Sequence, residues 1–252
     1  MIETVRDTVT SIEGSAPRAT ANALDWNVNL LNLPADGARR GGDWCDTFPI
    51  SDEAVALTIG DVSGHGELVA ETMETLRSAV FLAMRDTADP SKVLSIANTV
   101  AYSRGDGVIV TAIVAILNRR LRTLTFANAG HPAPFIMTAA AHGFLGRMIG
   151  DLPLGIVPNH CAADYVVALP ADVQIVLYTD GVTEHNRDVL LGTRELVDAC
   201  RAVYDYPVPN AACAIAWRVF QKVRGHDDAA VAVLRELPML AKEAASSWLY
   251  RM

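Results

Sequence analysis

Two consecutive helices within strand-forming sequence constrain the fold of this chain most. Apolar residues at three- and four-residue steps after Gly66 predict one helix. Asp89 and Pro90 mark the start of a second helix, and Gly105 marks its end. The pair spans about residues 66–104. Strands are predicted before this pair, and strands, further helices and a last strand after it. This segregated order predicts an α+β fold with antiparallel sheets packed against helices.

The predicted strands are apolar runs bounded by turn residues. VIVTAIVAIL, residues 108–117, is apolar on both faces and predicts a buried strand. Asn118, Arg119 and Arg120 predict a turn that joins this strand to the next one in a hairpin. Further strands are predicted at 24–33, 53–60, 165–169, 173–179 and from Asp227, and helices near 193–202 and 210–223. No linker separates two halves, so the 252 residues predict one domain, 23–236, with an arm, 1–22, and a tail, 237–252.

The net charge limits the partners of this chain. There are 21 Lys and Arg residues against 29 Asp and Glu residues, a formal charge of −8. Nucleic acids and anionic membranes bind positively charged protein surfaces, so neither is a predicted partner of this acidic chain. The four cysteines are scattered, the N-terminus lacks an apolar signal segment, and the longest apolar run is too short for a bilayer. These features predict a cytoplasmic protein.

Aspartates beside glycines stand where strands begin or end. Asp61 in GDVSGHG and Asp180 in YTDG each come at the end of an apolar run, while Asp43 lies in GGDWCD and Asp227 in GHDD. Carboxylates at strand ends can share one cleft, and hard divalent cations prefer such oxygen ligands. The alternative is that each aspartate caps a helix or forms a turn beside its glycine. The spacing alone leaves both interpretations open.

Five blocks, in this order, resemble the metal-dependent protein phosphatase (PPM) family in its bacterial SpoIIE-type branch. They are GGDWCD, IGDVSGHG, FANAGHPAP, LYTDGVTE and GHDDAAVAVL, and the resemblance covers about residues 24–236. It implies a β-sandwich of two antiparallel sheets flanked by pairs of α-helices. It also implies an Mn²⁺- or Mg²⁺-dependent protein serine/threonine phosphatase that uses two ions.

The resemblance assigns the metal centre residue by residue. It implies that Asp43, Asp61, Asp180 and Asp227 are the catalytic metal ligands, with Asp61 bridging both ions. The backbone carbonyl of Val62 is expected to complete the coordination of one ion.

Five neighbouring residues are weaker candidates. Asp228 ranks below Asp227, and Asp46 is interpreted as supporting the site or forming a turn. His65 is expected either to hydrogen-bond a metal-bound water or assist the leaving group, or instead to shape the turn or cap the next helix. Arg39 and Arg40 either grip phosphate or form a solvated basic pair.

The resemblance further implies a phosphorylated protein substrate, a STAS-domain anti-sigma-factor antagonist. It would dock on the helix pair at 66–104 and on the loop after His131, a residue interpreted as part of a shaped loop. One alternative is a catalytically silent module of the same fold that serves binding or regulation. All four matched positions are Asp, which argues against that reading. A two-metal nuclease is disfavoured by the negative charge and the lack of a basic stripe.

Overall fold

Two antiparallel sheets form the centre of the molecule. The computed structural model describes residues 26–35, 40–146, 151–221 and 227–236, so the predicted arm and tail lie outside the described residues. The strands, in chain order, are β1 (Trp26–Leu33), β2 (Asp43–Pro49), β3 (Ala54–Val62), β4 (Val110–Asn118), β5 (Thr123–Ala129), β6 (Phe135–Met137), β7 (His142–Phe144), β8 (Tyr165–Ala168), β9 (Gln174–Tyr178) and β10 (Ala229–Glu236). One sheet has the order β1-β10-β9-β6-β7 and the other the order β2-β3-β4-β5-β8.

Helices cover the outer face of each sheet. They are α1 (Glu67–Asp86), α2 (Pro90–Arg104), α3 (Gly181–Glu184), α4 (Val189–Asp205) and α5 (Ala211–Val219). Helices α1 and α2 pack on the β2–β3–β4 side, and α4 and α5 pack on the β1–β10–β9 side. This arrangement confirms the predicted α+β sandwich of two antiparallel sheets with helix pairs. None of the helices in the described ranges is long and apolar enough to cross a membrane.

Strand alternation decides which side chains face the space between the sheets. In β3, Val55, Leu57 and Ile59 belong to the core between the sheets, while Ala56 and Val62 contact the helices. The interior between the sheets is therefore apolar along most of its length. It becomes acidic at the end where β3 reaches its last residues, Asp61 and Val62.

The predicted helix pair and hairpin are confirmed. The Asp89 side chain accepts the N–H of Lys92, Pro90 is the first helical residue of α2, and Gly105 ends the helix with a φ of 67°. Strand β4 pairs with β5 across the predicted turn. Strand β3 extends two residues beyond the predicted end, so Asp61 lies within the strand, not after it.

Candidate metal centre

Asp43 and Asp61 face the space between the sheets at one end of the sandwich. Asp43 is the first residue of β2, and Asp61 is the penultimate residue of β3. The two are directly opposite each other in the β2–β3 ladder. Asp43 lies on the same face of β2 as Cys45, which belongs to the core between the sheets. The apolar interior therefore ends in a pair of carboxylates.

The other sheet brings its own aspartates to the same end. Asp180 directly follows Thr179 after β9, and Asp227 and Asp228 directly precede its neighbour β10. Asp61 interacts electrostatically with all of the others, Asp43, Asp180, Asp227 and Asp228. The structure thus brings together the four aspartates that the resemblance assigned to the metal ions.

Helix capping does not account for Asp180. The side chains of Asp89 and Asp188 each accept a backbone N–H in the first turn of the helix that they precede. Asp180 precedes α3 but its side chain makes no capping hydrogen bond of this kind, although a hydrogen bond from the N–H of Gly181 acts to lower its pKa. Its carboxylate is therefore available to the cleft.

Burial and like charge raise the pKa values of three carboxyl groups here. The pKa of Asp43 lies well above its usual range because the group is buried, and the charge of Asp61 raises it further. Burial and then the charge of Asp180 raise the pKa of Asp61 to about 6. The pKa of Asp180 is raised by burial and then by Glu184 and Asp227. The site therefore favours a proton or a cation over bare negative charge.

The donor set fits hard divalent cations. Oδ2 of Asp43 is buried and has no hydrogen-bond partner, so one carboxylate oxygen faces the cleft unused. Mn²⁺ and Mg²⁺ prefer carboxylate and carbonyl oxygens, which are the groups present. Within the described ranges, no three Asp, Glu, His or Cys side chains form a ready ligand set for one ion. Coordination would therefore require the carboxylates to rotate toward a shared ion.

The backbone at the end of β3 presents a carbonyl beside these carboxylates. The Val62 N–H donates to the carbonyl of Gly42 at 3.2 Å. The reciprocal donor, the N–H of Gly42, instead donates to Oδ2 of Asp228 at 2.6 Å. This switch leaves the Val62 carbonyl without its ladder partner. The arrangement suits the carbonyl ligand predicted at Val62, which stays a prediction.

Asp228 connects the two sheets at this end. Its Oδ1 accepts the N–H of Ala35 and its Oδ2 accepts that of Gly42, both at 2.6 Å. A Cβ atom on Gly41 would lie 2.3 Å from the Asp228 carboxyl carbon, so the loop can approach only because this residue is glycine. Asp227 is exposed beside it, and its Oδ1 accepts the N–H of Asp228. The two adjacent aspartates therefore have different environments.

Comparison with known proteins identifies the family of this chain. The family model of Stage II sporulation protein E (SpoIIE) matches residues 51–236. The chain belongs to the SpoIIE family. The phosphoserine phosphatase RsbU of Bacillus subtilis is 29% identical over 163 residues, covering 64% of this chain and 47% of RsbU. Protein IcfG of Synechocystis sp. is 22% identical over 246 residues, covering 85% of this chain and 37% of IcfG. The chain thus spans less than half the length of either curated relative.

Solved structures show the same fold. The RsbU and RsbW domains of Rv1364c from Mycobacterium tuberculosis give a TM-score of 0.75 at 23% identity, covering 85% of this chain and 62% of that one. The phosphatase domain of SpoIIE from Bacillus subtilis, with a fragment of its regulatory domain, gives 0.69 at 17% identity, covering 84% and 64%. The SpoIIE-family chain therefore has the PPM phosphatase fold.

The expectation that Asp46 forms a turn is wrong. Asp46 lies within β2, on the face opposite Asp43, and forms a bidentate ion pair with Arg77 of α1 at 2.5 and 2.7 Å. A groove of about 500 Å³ borders this pair on the outer side of β2. The groove is lined by residues of β2 and α1, away from the carboxylate cleft. In this SpoIIE-family chain Asp46 attaches a helix to the sheet.

Three further candidates stay predictions. His65 is exposed, and the residue that caps α1 is Gly66, with a φ of 101°, so His65 does not cap that helix. Arg40 is exposed three residues before Asp43. Arg39 lies outside the described residues.

A hydroxyl that was not predicted from the sequence lies beside Asp61. Thr111 of β4 is directly opposite Asp61, and its Oγ1 lies 2.8 Å from Nδ1 of His131. The Asn128 side chain bonds both the N–H and the carbonyl of His131, which fits the shaped loop inferred for that residue. Burial lowers the pKa of His131 to about 3, so its ring is neutral. The available signal was a threonine interrupting the apolar run VIVTAIV.

Proposed function

We propose that this chain is an Mn²⁺- or Mg²⁺-dependent protein serine/threonine phosphatase. The single observation that carries the proposal is the meeting of four separated aspartates at one end of a SpoIIE-family sandwich, with a buried Asp43 oxygen left unpartnered. The name of the relative RsbU, phosphoserine phosphatase, supports the same activity. Retention of all four aspartates favours an enzyme over a silent binding module.

The residues of the chain have distinct tasks in this proposal. Asp43, Asp61, Asp180 and Asp227 would hold two ions, with the Val62 carbonyl completing the set. Asp61 would be shared, because it lies among the carboxylates of both sheets. Bound ions would activate water for in-line attack on phosphorus and offset the charge of the phosphoryl oxygens. Without cations, the carboxylates would repel a phosphate group.

A covalent cysteine mechanism does not fit the buried thiols. Cys45 is the cysteine nearest in sequence to the carboxylates, and burial raises its pKa to about 12. Burial also raises the pKa of Cys200. A nucleophilic cysteine needs a lowered pKa, so these two groups stay protonated thiols. Direct attack by activated water is the mechanism that the cleft supports.

For the substrate, we propose a phosphorylated STAS-domain anti-sigma-factor antagonist, as the family resemblance implies. A folded protein substrate is supported by exposed apolar side chains at the cleft end. We define the apolar rim as Leu68, Ile109 and Leu152, each with more than two fifths of its surface exposed. Ile109 is joined to the Asp61 strand, because its N–H and carbonyl both bond Ser63. Such a rim can bind a protein surface next to the phosphate.

The first experiment measures hydrolysis of p-nitrophenyl phosphate with and without Mn²⁺, in the wild type and in Asp180→Asn. We expect turnover that needs the metal, stops with a chelator and is lost in the variant. Turnover by the pure protein in a chelator would contradict the two-metal proposal. Metal binding without turnover of any phosphoester would favour the silent binding module.

The second experiment compares a folded phospho-STAS protein with a phosphopeptide of the same local sequence. We expect a much higher kcat/KM on the folded protein, because contacts away from the phosphate supply binding energy to the reacting centre. Equal kcat/KM values would remove the docking argument. Turnover of p-nitrophenyl phosphate but not of the folded protein would remove only the substrate assignment.

A further inference from the structure

The short helix α3 carries Asp180 but cannot fix its own position. It consists of Gly181–Glu184, and its first bonds run from the N–H groups of Thr183 and Glu184 to the Asp180 carbonyl, at 2.8 and 2.7 Å. One helical turn fixes many torsions for few hydrogen bonds and is unstable by itself. The place of Asp180 in the cleft therefore depends on what surrounds α3.

Backbone contacts enclose this turn on two sides. A Cβ atom on Gly181 would lie 1.9 Å from the carbonyl oxygen of Asp228, so α3 packs directly on the chain entering β10. A Cβ atom on Gly192 of α4 would lie 1.9 Å from the carbonyl oxygen of Thr183. Only glycine allows either approach. The turn thus sits between the Asp228 backbone and α4.

His185 joins the end of this turn to α4. Its ring is buried, with Nδ1 3.0 Å from the Val182 carbonyl and Nε2 3.0 Å from Oε2 of Glu195. The ring edge also packs on Phe220, with centroids 5.5 Å apart. A carbonyl can only accept, so Nδ1 carries a hydrogen toward Val182, and Nε2 faces the carboxylate. Both ring nitrogens therefore hold the turn to its surroundings.

We propose that His185 and Glu195 are positioning residues for Asp180. Together they hold α3 against α4, so that the Asp180 carboxylate faces Asp61 and Asp227 across the cleft. Neither residue touches substrate in this proposal, which rests on the proposed metal-dependent function. Residues that orient metal ligands typically change metal affinity or activity by about 10- to 100-fold when they are replaced.

The test measures Mn²⁺ affinity by calorimetry on the whole chain. Glu195→Ala removes the partner of Nε2, and Glu195→Gln keeps a side-chain amide that can accept from Nε2 of a protonated ring or donate to Nε2 of a neutral one. His185→Asn keeps a donor near the Val182 carbonyl but is too short to reach Glu195. We expect Mn²⁺ to bind about tenfold more weakly to Glu195→Ala and His185→Asn, and close to normally to Glu195→Gln.

Glu236→Ala is the matched control. It removes another half-buried carboxylate ion pair, Arg122–Glu236, at the opposite end of β10. This variant should lower the melting temperature and leave Mn²⁺ affinity unchanged. Equal Mn²⁺ affinity in the wild type, Glu195→Ala and Glu236→Ala would overturn the proposal. It would show that His185 and Glu195 contribute only to the general stability of the fold.

Amide hydrogen exchange of residues 181–184 in metal-free protein gives an independent readout. Exchange should be faster in Glu195→Ala than in wild type and unchanged in Glu236→Ala. Unchanged exchange in Glu195→Ala would also overturn the proposal. Absence of Mn²⁺ binding by the wild type would contradict the proposed function, and the exchange result would still decide whether this pair holds the turn.

Discussion

Asp43 and Asp61 are directly opposite each other in the β2–β3 ladder, in a pair that shares no backbone hydrogen bonds. The N–H of Cys45, two residues on, points away from β3 to Oδ1 of Asn32, and Val62 bonds Gly42. Pairs of this type have the closest side chains in an antiparallel sheet, and like charges there are destabilising. The sheet thus places two carboxylates where a proton or a cation between them would relieve their repulsion.

This pairing predicts an unusual pH dependence for the metal-free protein. The pKa of Asp61 is raised from 3.8 to about 6, so the folded state binds its proton more tightly than the unfolded chain does. The stability due to this group is complete below about pH 4 and is lost as the pH rises through about 6. The loss is on the order of 2 kcal/mol after allowance for partial exposure.

We therefore expect the melting temperature in chelator to be about 3 °C lower at pH 7.5 than at pH 5 from this group, because roughly half of the loss falls between those two pH values. Asp61→Asn should remove most of that difference. The exposed Asp52→Asn, in the turn between β2 and β3, is the control and should keep it. If Asp61→Asn keeps the same difference in melting temperature between the two pH values as wild type, then Asp61 is not the group that causes it.

Substitutions at Asp227 and Asp228 should have separate effects, one on Mn²⁺ affinity and the other on the stability of the fold. Asp228→Ala leaves the N–H groups of Ala35 and Gly42 without their acceptor, so we expect a loss of about 2–4 kcal/mol of unfolding free energy. Asp227→Asn keeps an oxygen for the Asp228 N–H. It should retain near-normal stability but lose Mn²⁺ affinity. Urea unfolding measures the stability and calorimetry measures the Mn²⁺ affinity. A stability loss in Asp227→Asn together with an affinity loss at normal stability in Asp228→Ala would exchange the two assignments.

The ion pair between Asp46 and Arg77 is predicted to be structural only. It is bidentate but partly exposed, so Asp46→Asn should cost about 1 kcal/mol. Mn²⁺ affinity should be unchanged, because the Asp46 side chain lies on the face of β2 opposite Asp43. Arg77→Ala should reproduce the same loss in thermal unfolding. A drop in Mn²⁺ affinity in Asp46→Asn would return this residue to the metal centre.

The bounds of α2 were predicted from the sequence because capping signals act within a few residues. Asp89, Pro90 and Gly105 bound α2 through contacts within a few residues. Strand β2 was missed for the opposite reason. Its sequence, DWCDTFP, carries one aspartate on each face, which hides the apolar alternation. One turns inward to Asp61 and the other outward to Arg77, and both partners are distant in sequence.

The site was predicted through its motif order, not through spacing. Nothing near Asp228 in sequence indicates that Ala35 and Gly42 donate to it, because those donors lie 193 and 186 residues away. The same holds for His185 and Glu195, whose contact depends on how α4 packs on the single turn after Asp180. Long-range packing of this kind leaves no local pattern to detect.

The apolar rim should affect protein substrates and leave small ones unaffected. Ile109→Asp and Leu68→Asp place a charge beside the cleft end without touching the carboxylates, so we expect turnover of p-nitrophenyl phosphate within about twofold of wild type. On a folded phospho-STAS protein, kcat/KM should fall about tenfold or more, because leaving an unpaired charge buried at an interface costs about 2 kcal/mol or more. Leu121→Asp is the matched control, since Leu121 is equally exposed but lies in the β4–β5 turn at the other end of β4. It should leave both rates unchanged. Equal losses in Ile109→Asp and Leu121→Asp, or a parallel loss on p-nitrophenyl phosphate, would show that the rim does not bind the substrate protein.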